Sequence, residues 1–337
     1  MKRIARYLAL FIVVASLVTA AWLRLPYYAV GPGPAREVTP LIRFEGPERY
    51  ESSGKLVMTT VRWYQVTPIQ AMITWFDPNA SLISQDVLYQ PGTDREQERR
   101  RSLSDMDQSK IHASFLVLSR LTDYPKEHGS GALVEGIVPT CPAAGELFPG
   151  DLVTAIDGRE IDSRNEASRA IEAARPGEPL TFHIRAAGEE HDVQVTRDRC
   201  IDEAPKRAFV GVNMVQAFPF PLSIESGDIG GPSAGLMWAL GLYDLMTSGD
   251  LTGGRTIAGT GTIALDGTVG PIGGITDKVV AAERSGADLF LVPVDDMPEL
   301  EGTDTGGLEI VPVATFDEAL GALGVPQPPD PPSPSGA

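Results

Sequence analysis

Three stretches of this chain carry three different hydrophobic patterns. The first is continuous: from Tyr7 to Leu23 no side chain is charged, and apolar residues fall on every face of a helix. Such a run reaches the lower end of the roughly 17–25 residues that cross a bilayer. Lys2, Arg3 and Arg6 precede it, which favours a cytoplasmic N-terminus, and Tyr27-Tyr28 follow it as interface anchors. A cleaved signal peptide is the competing reading, with Val18-Thr19-Ala20 as a loose cleavage site, but the run exceeds the usual apolar core of a signal. Both readings put the body outside the cytoplasm. The second pattern has period two and covers about 38 to 90, cleanest in Lys55-Leu56-Val57-Met58-Thr59-Thr60-Val61. The charged stretch Asp94 to Arg101 reads as a solvated face or loop. The third pattern is helical, with Met106, Ile111, Phe115 and Leu118 on one side of Ser104 to Leu121.

From about 129 to 198 short strands return. Ala132 to Val138 leads to Pro142-Ala143-Ala144-Gly145, then Gly150-Asp151, a strand Leu152 to Ile156 and an Asp157-Gly158 turn. Ser163 and Glu166 form a capping box opening a helix with a small apolar face: Ala167, Ala170, Ile171 and Ala174. Two strands, Leu180 to Ile184 and Val193 to Thr196, close the unit around Gly188. This order of P-A-A-G and G-D-x-V-x-x-I-D-G resembles a PDZ domain of the kind attached to bacterial proteases. The resemblance implies capture of an extended peptide as an added strand. It points to Gly129-Ser130-Gly131 as the carboxylate loop, with Ala167 and Ile171 on the peptide-binding helix.

Beyond about 207, strands at Phe209 to Val212 and Pro219 to Ile224 precede a glycine-rich loop and a helix from Ser233 to about Met246. Strands flank Asp266-Gly267, a helix spans roughly Thr276 to Arg284, and a strand runs from Leu289 to Val292. The proline-rich end, 326–337, is expected to be disordered.

Composition narrows the chemistry. A formal charge of −17 excludes the basic stripe that nucleic acid needs. No Walker-type phosphate loop occurs, and Gly259-Thr260-Gly261-Thr262-Ile263-Ala264 leads into more strand rather than the helix of a dinucleotide site. Cys141 and Cys200 are disulfide candidates in an oxidising compartment, two buried thiols being the alternative. No spacing suggests a metal, and no cofactor is implied.

Ser233 lies in Gly231-Pro232-Ser233-Ala234-Gly235, and no histidine follows it. That inventory removes the α/β-hydrolase reading of G-x-S-x-G, which needs a later histidine. After Lys206 the only lysine is Lys278. As a base it needs a lowered pKa, because at the ordinary value about one lysine in 2,000 is neutral at pH 7. Apolar Ile275, Val279, Val280, Ala281 and Ala282 around it, and its place in a first helical turn, work in that direction. Asp277 works against it unless its side chain faces solvent or caps the helix. Helix-terminal amides near Ser233 (Gly231, Pro232 and Ala234) are the candidate oxyanion support.

Taken in order, Gly230-Gly231-Pro232-Ser233-Ala234-Gly235, Gly259-Thr260-Gly261-Thr262-Ile263 and Gly270-Pro271-Ile272-Gly273-Gly274-Ile275-Thr276-Asp277-Lys278 resemble the proteolytic domain of Lon proteases. The closer resemblance is to the membrane-anchored, PDZ-bearing, Lon-like proteases of Gram-positive bacteria. It implies Ser233 as nucleophile, Lys278 as general base and Thr260 as the hydroxyl that orients the lysine. It also implies unfolded or flexible protein substrates and a homo-hexameric ring. Two departures stand out: the ATPase module is missing, and Thr262 replaces an acidic residue. The C-terminal segment is short for a Lon domain, so about 38 to 121, with Met106-Asp107-Gln108-Ser109, is expected to complete it around an inserted PDZ unit.

The expected architecture is α+β: a transmembrane anchor (1–30), an extracytoplasmic α/β segment (31–122), a PDZ domain (123–203), a Lon-type proteolytic domain (204–325) and the tail. The expected activity is an ATP-independent, membrane-tethered serine endopeptidase. A PDZ scaffold with an inactive protease fold, and an autoprocessing amide hydrolase, are the alternatives.

Overall fold

The computed structural model describes residues 2–77, 79–88, 95–186, 188–201 and 209–326. The expected disorder of the proline-rich end, like Asp94, falls outside them, apart from Pro326. In chain order the first part contains α1 (Lys2–Trp22), β1 (Tyr27–Pro32), β2 (Arg36–Glu37), β3 (Ile42–Phe44), β4 (Lys55–Met58) and β5 (Val61–Gln65). Next come α2 (Pro68–Trp75), β6 (Ser81–Ser84), α3 (Gln85–Leu88) and α4 (Arg95–Leu121). Helix α1 is long and apolar enough to cross a membrane, with a mean hydropathy of 2.1 over Ile4–Trp22. One expectation needs correction here. Residues 68–75 are helix, not strand, because Thr67 and Gln70 exchange side-chain and backbone bonds as a capping box and Pro68 takes the first turn. The charged stretch from Arg95 on is a solvated face, as expected, and not a loop: it forms the first two turns of α4, supported by Glu96–Arg100 at i,i+4 and by Arg99 reaching Asp228 at 2.8 Å.

The middle part comprises β7 (Gly129–Ile137), β8 (Leu152–Ile156), β9 (Arg159–Glu160), α5 (Arg164–Ala173), β10 (Pro179–Ala186), β11 (Glu189–Thr196) and β12 (Val212–Ala217). The strands lie in the order β11-β10-β8-β7-β12, with β9 paired to β8. Local chemistry explains the motifs. Asp151 is buried because its carboxylate accepts from Phe148 N at 2.8 Å, and burial raises its pKa. Asp157 and Gly158 both take positive φ, 49° and 75°, as a two-residue hairpin turn of the I′ kind requires. The capping box is only half made: Ser163 accepts from Glu166 N at 3.4 Å, while the Glu166 carboxylate accepts from Asp162 N.

Strand β12 corrects the boundary expected at 203/204. It pairs antiparallel with β7 over Val212–Ala217, and Val210 and Met214 join Val134, Phe182 and Ile184 in the core of this unit. The PDZ-like unit therefore extends past 203, because an alternating strand is recruited by whichever sheet buries its apolar side. Cys141 and Cys200 are bonded to each other beside this strand.

The last part supplies β13 (Leu222–Ile224), α6 (Gly235–Met246), β14 (Thr256–Gly259), β15 (Thr262–Ile263), β16 (Val269–Gly270), α7 (Ile275–Arg284), β17 (Leu289–Pro293), β18 (Glu309–Val313) and α8 (Phe316–Ala322). Its sheet runs β18-β17-β14-β4-β2, so β4, from before the PDZ-like unit, lies parallel to β14, from after it. Side chains alternate across this sheet. Leu56, Met58, Ile257, Leu289 and Leu291 enter one core with α4 and α6, whereas Val57, Ala258, Phe290 and Val292 enter another with Ile275 and Val279 of α7. Ser52 bonds to Asp244, and Gly54 N donates to Thr252 Oγ1 at 2.8 Å, tying the two segments again.

Candidate active site

The site forms where α6 and α7 approach from opposite faces of that sheet. Residues Pro232–Ala234 make a single 3₁₀ turn, and α6 begins at Gly235, two residues later than Ser233. Gly231 enters the turn at φ 84°, which favours glycine. Gly235 has no space for a side chain: a Cβ there would lie 2.8 Å from both Ile263 Cγ2 and Ser109 Oγ. Ser109, on α4, donates its hydroxyl to Pro232 O at 3.0 Å.

On the other face, Gly274 adopts φ 69° and starts α7, leaving Lys278 in the first turn with its backbone N bonded to Gly274 O. Lys278 is 3% exposed and its Nζ lies 2.8 Å from Ser233 Oγ and 2.9 Å from Thr260 Oγ1. Thr260 is fully buried and donates to Ser233 O at 3.0 Å, while Gly261 N donates to the same carbonyl at 2.8 Å. The three hydroxyl and amine groups thus meet at hydrogen-bond distance, each on a separate element.

Desolvation lowers the Lys278 pKa from 10.5 to about 8, while Asp296 pulls it upward. Asp296 is buried, accepts from Ile272 N at 3.0 Å, and has its own carboxyl raised by burial. Asp277, the acid expected to oppose Lys278, is not the one that does so. Asp296 was missed because it reaches the site from 18 residues further on; the sequence signal available was the Asp295-Asp296 pair ending the apolar run Leu289 to Val294.

Of the residues expected to support an oxyanion, two cannot donate. Gly231 N is already bonded to Ser102 O at 2.7 Å, and Pro232 has no N–H. Ala234 stays adjacent to the nucleophile position with its methyl group buried.

A cleft of about 700 Å³ opens over Ser233 and Lys278. Thr59–Gln65 line one wall, Ser102, Leu103 and Met106 of α4 another, and Asp228–Gly230 a third. Thr59, not singled out by sequence, is 3% exposed with an Oγ1 lacking a protein hydrogen-bond partner among the described residues.

The residues expected at a peptide site of the PDZ-like unit do not come together. Gly129 and Gly131 lie within β7, between β8 and β12, so their segment is already used by the sheet and is not a carboxylate loop. Ala167 is fully buried in the core of the unit. Ile171 does face a second cleft, about 430 Å³, between α5 and the edge strand β12, which Gly211, Val212 and Met214 also line. Gly211 has φ 81°, and a Cβ there would strike Cys141 Cβ at 2.0 Å. Among the described residues no cluster of His, Cys, Asp or Glu is suited to a metal.

Comparison with known proteins places names on both parts. Residues 225–324 match the Lon protease (S16) C-terminal proteolytic domain, and 111–198 match a PDZ domain. Among curated proteins, Lon protease 2 of Bacillus subtilis is 38% identical over 92 residues, 27% of this chain and 16% of that protein. Lon protease 1 of Sorangium cellulosum is 42% identical over 93 residues, 27% of this chain and 11% of that protein. The mitochondrial Lon protease homolog of Drosophila melanogaster is 40% identical over 91 residues, 26% of this chain and 9% of that protein. The chain thus spans no more than 16% of the length of these relatives. Among solved structures, the PDZ domain of an SdrC-like protein from Listeria innocua is 25% identical, covering 25% of this chain and 92% of that one at a TM-score of 0.23. The chain therefore carries a Lon-type serine peptidase domain together with a PDZ domain.

Proposed function

We propose that the protein is an ATP-independent serine endopeptidase tethered to the membrane by α1, with its body outside the cytoplasm. The observation that carries the catalytic part is the 2.8 Å contact between a buried lysine amine and a serine hydroxyl. With a pKa about 8, roughly one lysine in ten is neutral at pH 7, enough to act as a base. The neutral Lys278 Nζ takes the Ser233 proton as Oγ attacks the scissile carbonyl. It then returns that proton to the leaving amine, and water repeats the sequence to release the acyl product. Thr260 fixes the amine, and the N–H of Ala234 is the remaining donor of the expected set for the oxyanion.

Three features support the setting: the uncharged run that begins at Tyr7 in α1, behind Lys2, Arg3 and Arg6, the Cys141–Cys200 bond, and a sequence without a phosphate loop. Without ATP-driven unfolding, substrates are loose or unfolded chains. An extended chain end adds to the outer edge of β12 beside Ile171 and Gly211, in the manner of PDZ domains. A six-membered ring is the assembly the Lon likeness suggests, and sedimentation of the solubilised protein tests it.

The activity is tested by digesting an unfolded protein such as casein, without ATP, with the wild type and with Ser233→Ala. Cleavage by the wild type alone supports the reading. Equal cleavage, or none by either, favours the scaffold. Self-cleavage that Lys278→Ala abolishes, with no turnover of added protein, favours autoprocessing.

A further inference from the structure

Large apolar side chains stand together in solvent just after β5. Met72, Ile73, Trp75 and Phe76 are 60%, 62%, 79% and 80% exposed. At about 100° per residue, these four and the partly buried Ile69 fall within one arc of roughly 160° around α2 and its C-cap. Thr74 lies on the opposite side and is buried against the body. The capping box closes the N-terminus of α2, and no residue of the helix is charged.

Chain connectivity indicates what covers this face. The residues leaving α1 are bonded to those leading into α2. Arg24 Nη1 donates to Gln65 O at 2.9 Å, Gln65 Nε2 to Leu25 O at 2.9 Å, and Leu25 N to Val66 O at 2.9 Å. Helix α2 starts two residues after Val66, at Pro68, and α1 packs against it. Trp22 and Leu23, at 81% and 52% exposure, carry the apolar surface from one helix to the other.

We infer that α2 is an interfacial helix whose apolar arc lies in the bilayer that holds α1. The inference rests on the reading of α1 as a membrane span. Trp75 and Phe76 suit the headgroup boundary, where amphipathic helices bury one face by about 5–10 Å. The chain's charge of −17 removes any general attraction to anionic lipid, so apolar burial drives the docking, and salt does not weaken it. Gln65 lines the same cleft as Ser233, so the cleft reaches the point where the chain leaves the anchor. Substrate segments next to the membrane are therefore the ones placed to enter it.

Among the described residues both cysteines are disulfide-bonded, so an added cysteine can be labelled singly. Met72→Cys, Phe11→Cys and Arg169→Cys full-length proteins, each carrying an environment-sensitive fluorophore, are reconstituted in phosphatidylcholine vesicles containing spin-labelled lipid. Quenching at positions 72 and 11, several-fold stronger than at 169 and equal at low and high salt, supports the inference. Quenching at 11, with none at 72 beyond that at 169, overturns it and leaves the anchor intact. Absence of quenching at 11 removes the anchor and the inference together. A label at 72 shielded from aqueous iodide only as protein concentration rises in detergent, without lipid quenching, assigns the face to a second copy instead.

Discussion

Ser109 and Pro232 are 123 residues apart in sequence, and the Ser109 hydroxyl holds the Pro232 carbonyl at 3.0 Å. The whole PDZ unit lies between them in the chain. The turn that presents Ser233 is thus fixed from α4, not by its own loop. Ser109→Ala removes one hydrogen bond, about 1 kcal/mol. It is expected to lower kcat several-fold while leaving KM nearly unchanged, because the loosened turn bears the nucleophile and not the substrate. A matching rise in KM would place Ser109 in substrate binding instead.

The rate is expected to rise with pH. Lys278 must be neutral to accept a proton, and desolvation holds its pKa near 8, so kcat/KM climbs through about pH 8. Asp296 pulls that value upward, so Asp296→Asn, which keeps an oxygen for Ile272 N, shifts the ascending limb to lower pH. An unmoved limb would show that the two charges do not communicate.

Lys278 also destabilises the fold. Lowering its pKa from 10.5 to about 8 costs about 3 kcal/mol at pH 7. For a cation whose folded pKa is depressed, the cost is complete below the folded value and fades as pH rises towards 10.5. Lys278→Met is expected to abolish peptidase activity yet raise stability at pH 7, by up to about 3 kcal/mol, with the gain shrinking above pH 8. Chemical denaturation at pH 7 and pH 10 measures both.

Thr260 bonds both members of the pair, to Lys278 Nζ at 2.9 Å and to Ser233 O at 3.0 Å. Thr260→Val keeps the volume and removes the hydroxyl. Activity is expected to fall by about 10–100-fold, chiefly in kcat, and Thr260→Ser should restore most of it. Failure of serine to rescue would point to packing as the role of the methyl group.

His112 on α4 joins the two units. Its Nδ1 meets Ile263 O at 2.9 Å in the peptidase part, and its Nε2 bonds Glu135 on β7, which also accepts from Gln108 at 3.0 Å. Burial opposes protonation of His112, but the bonds to Glu135 and Ile263 outweigh it and raise its pKa; the His112 bond in turn lowers that of Glu135. Stability from the raised histidine is complete below its ordinary value, about 6.5, and is lost as pH rises through the folded one. Stability from the lowered carboxylate is present above its ordinary value and lost as pH falls through the folded one. The joint is therefore firmest at mildly acidic pH. His112→Gln is expected to cost about 1.5–3 kcal/mol there, and less in alkali, by thermal scans across pH. A constant difference would refute the charged pair.

Sequence alone reached the pairing of Ser233 with Lys278, because residue inventory is decisive where no histidine follows the serine. It also reached the apolar α1 and the hairpin at Asp157-Gly158, since uniform hydrophobicity and turn chemistry are local properties. Contacts between distant segments decided the rest. Strand β12 alternates like any other strand, and only the exposed edge of β7 assigns it to the PDZ sheet. Asp296, Ser102 and Ser109 meet the site across 18 to 129 residues of chain from the residues they act on, distances no periodicity encodes. Gly231 fails as an oxyanion donor for the same reason: an amide's availability depends on which carbonyl the fold brings beside it, and Ser102 O claims that of Gly231, whereas the missing N–H of Pro232 is already a property of the sequence.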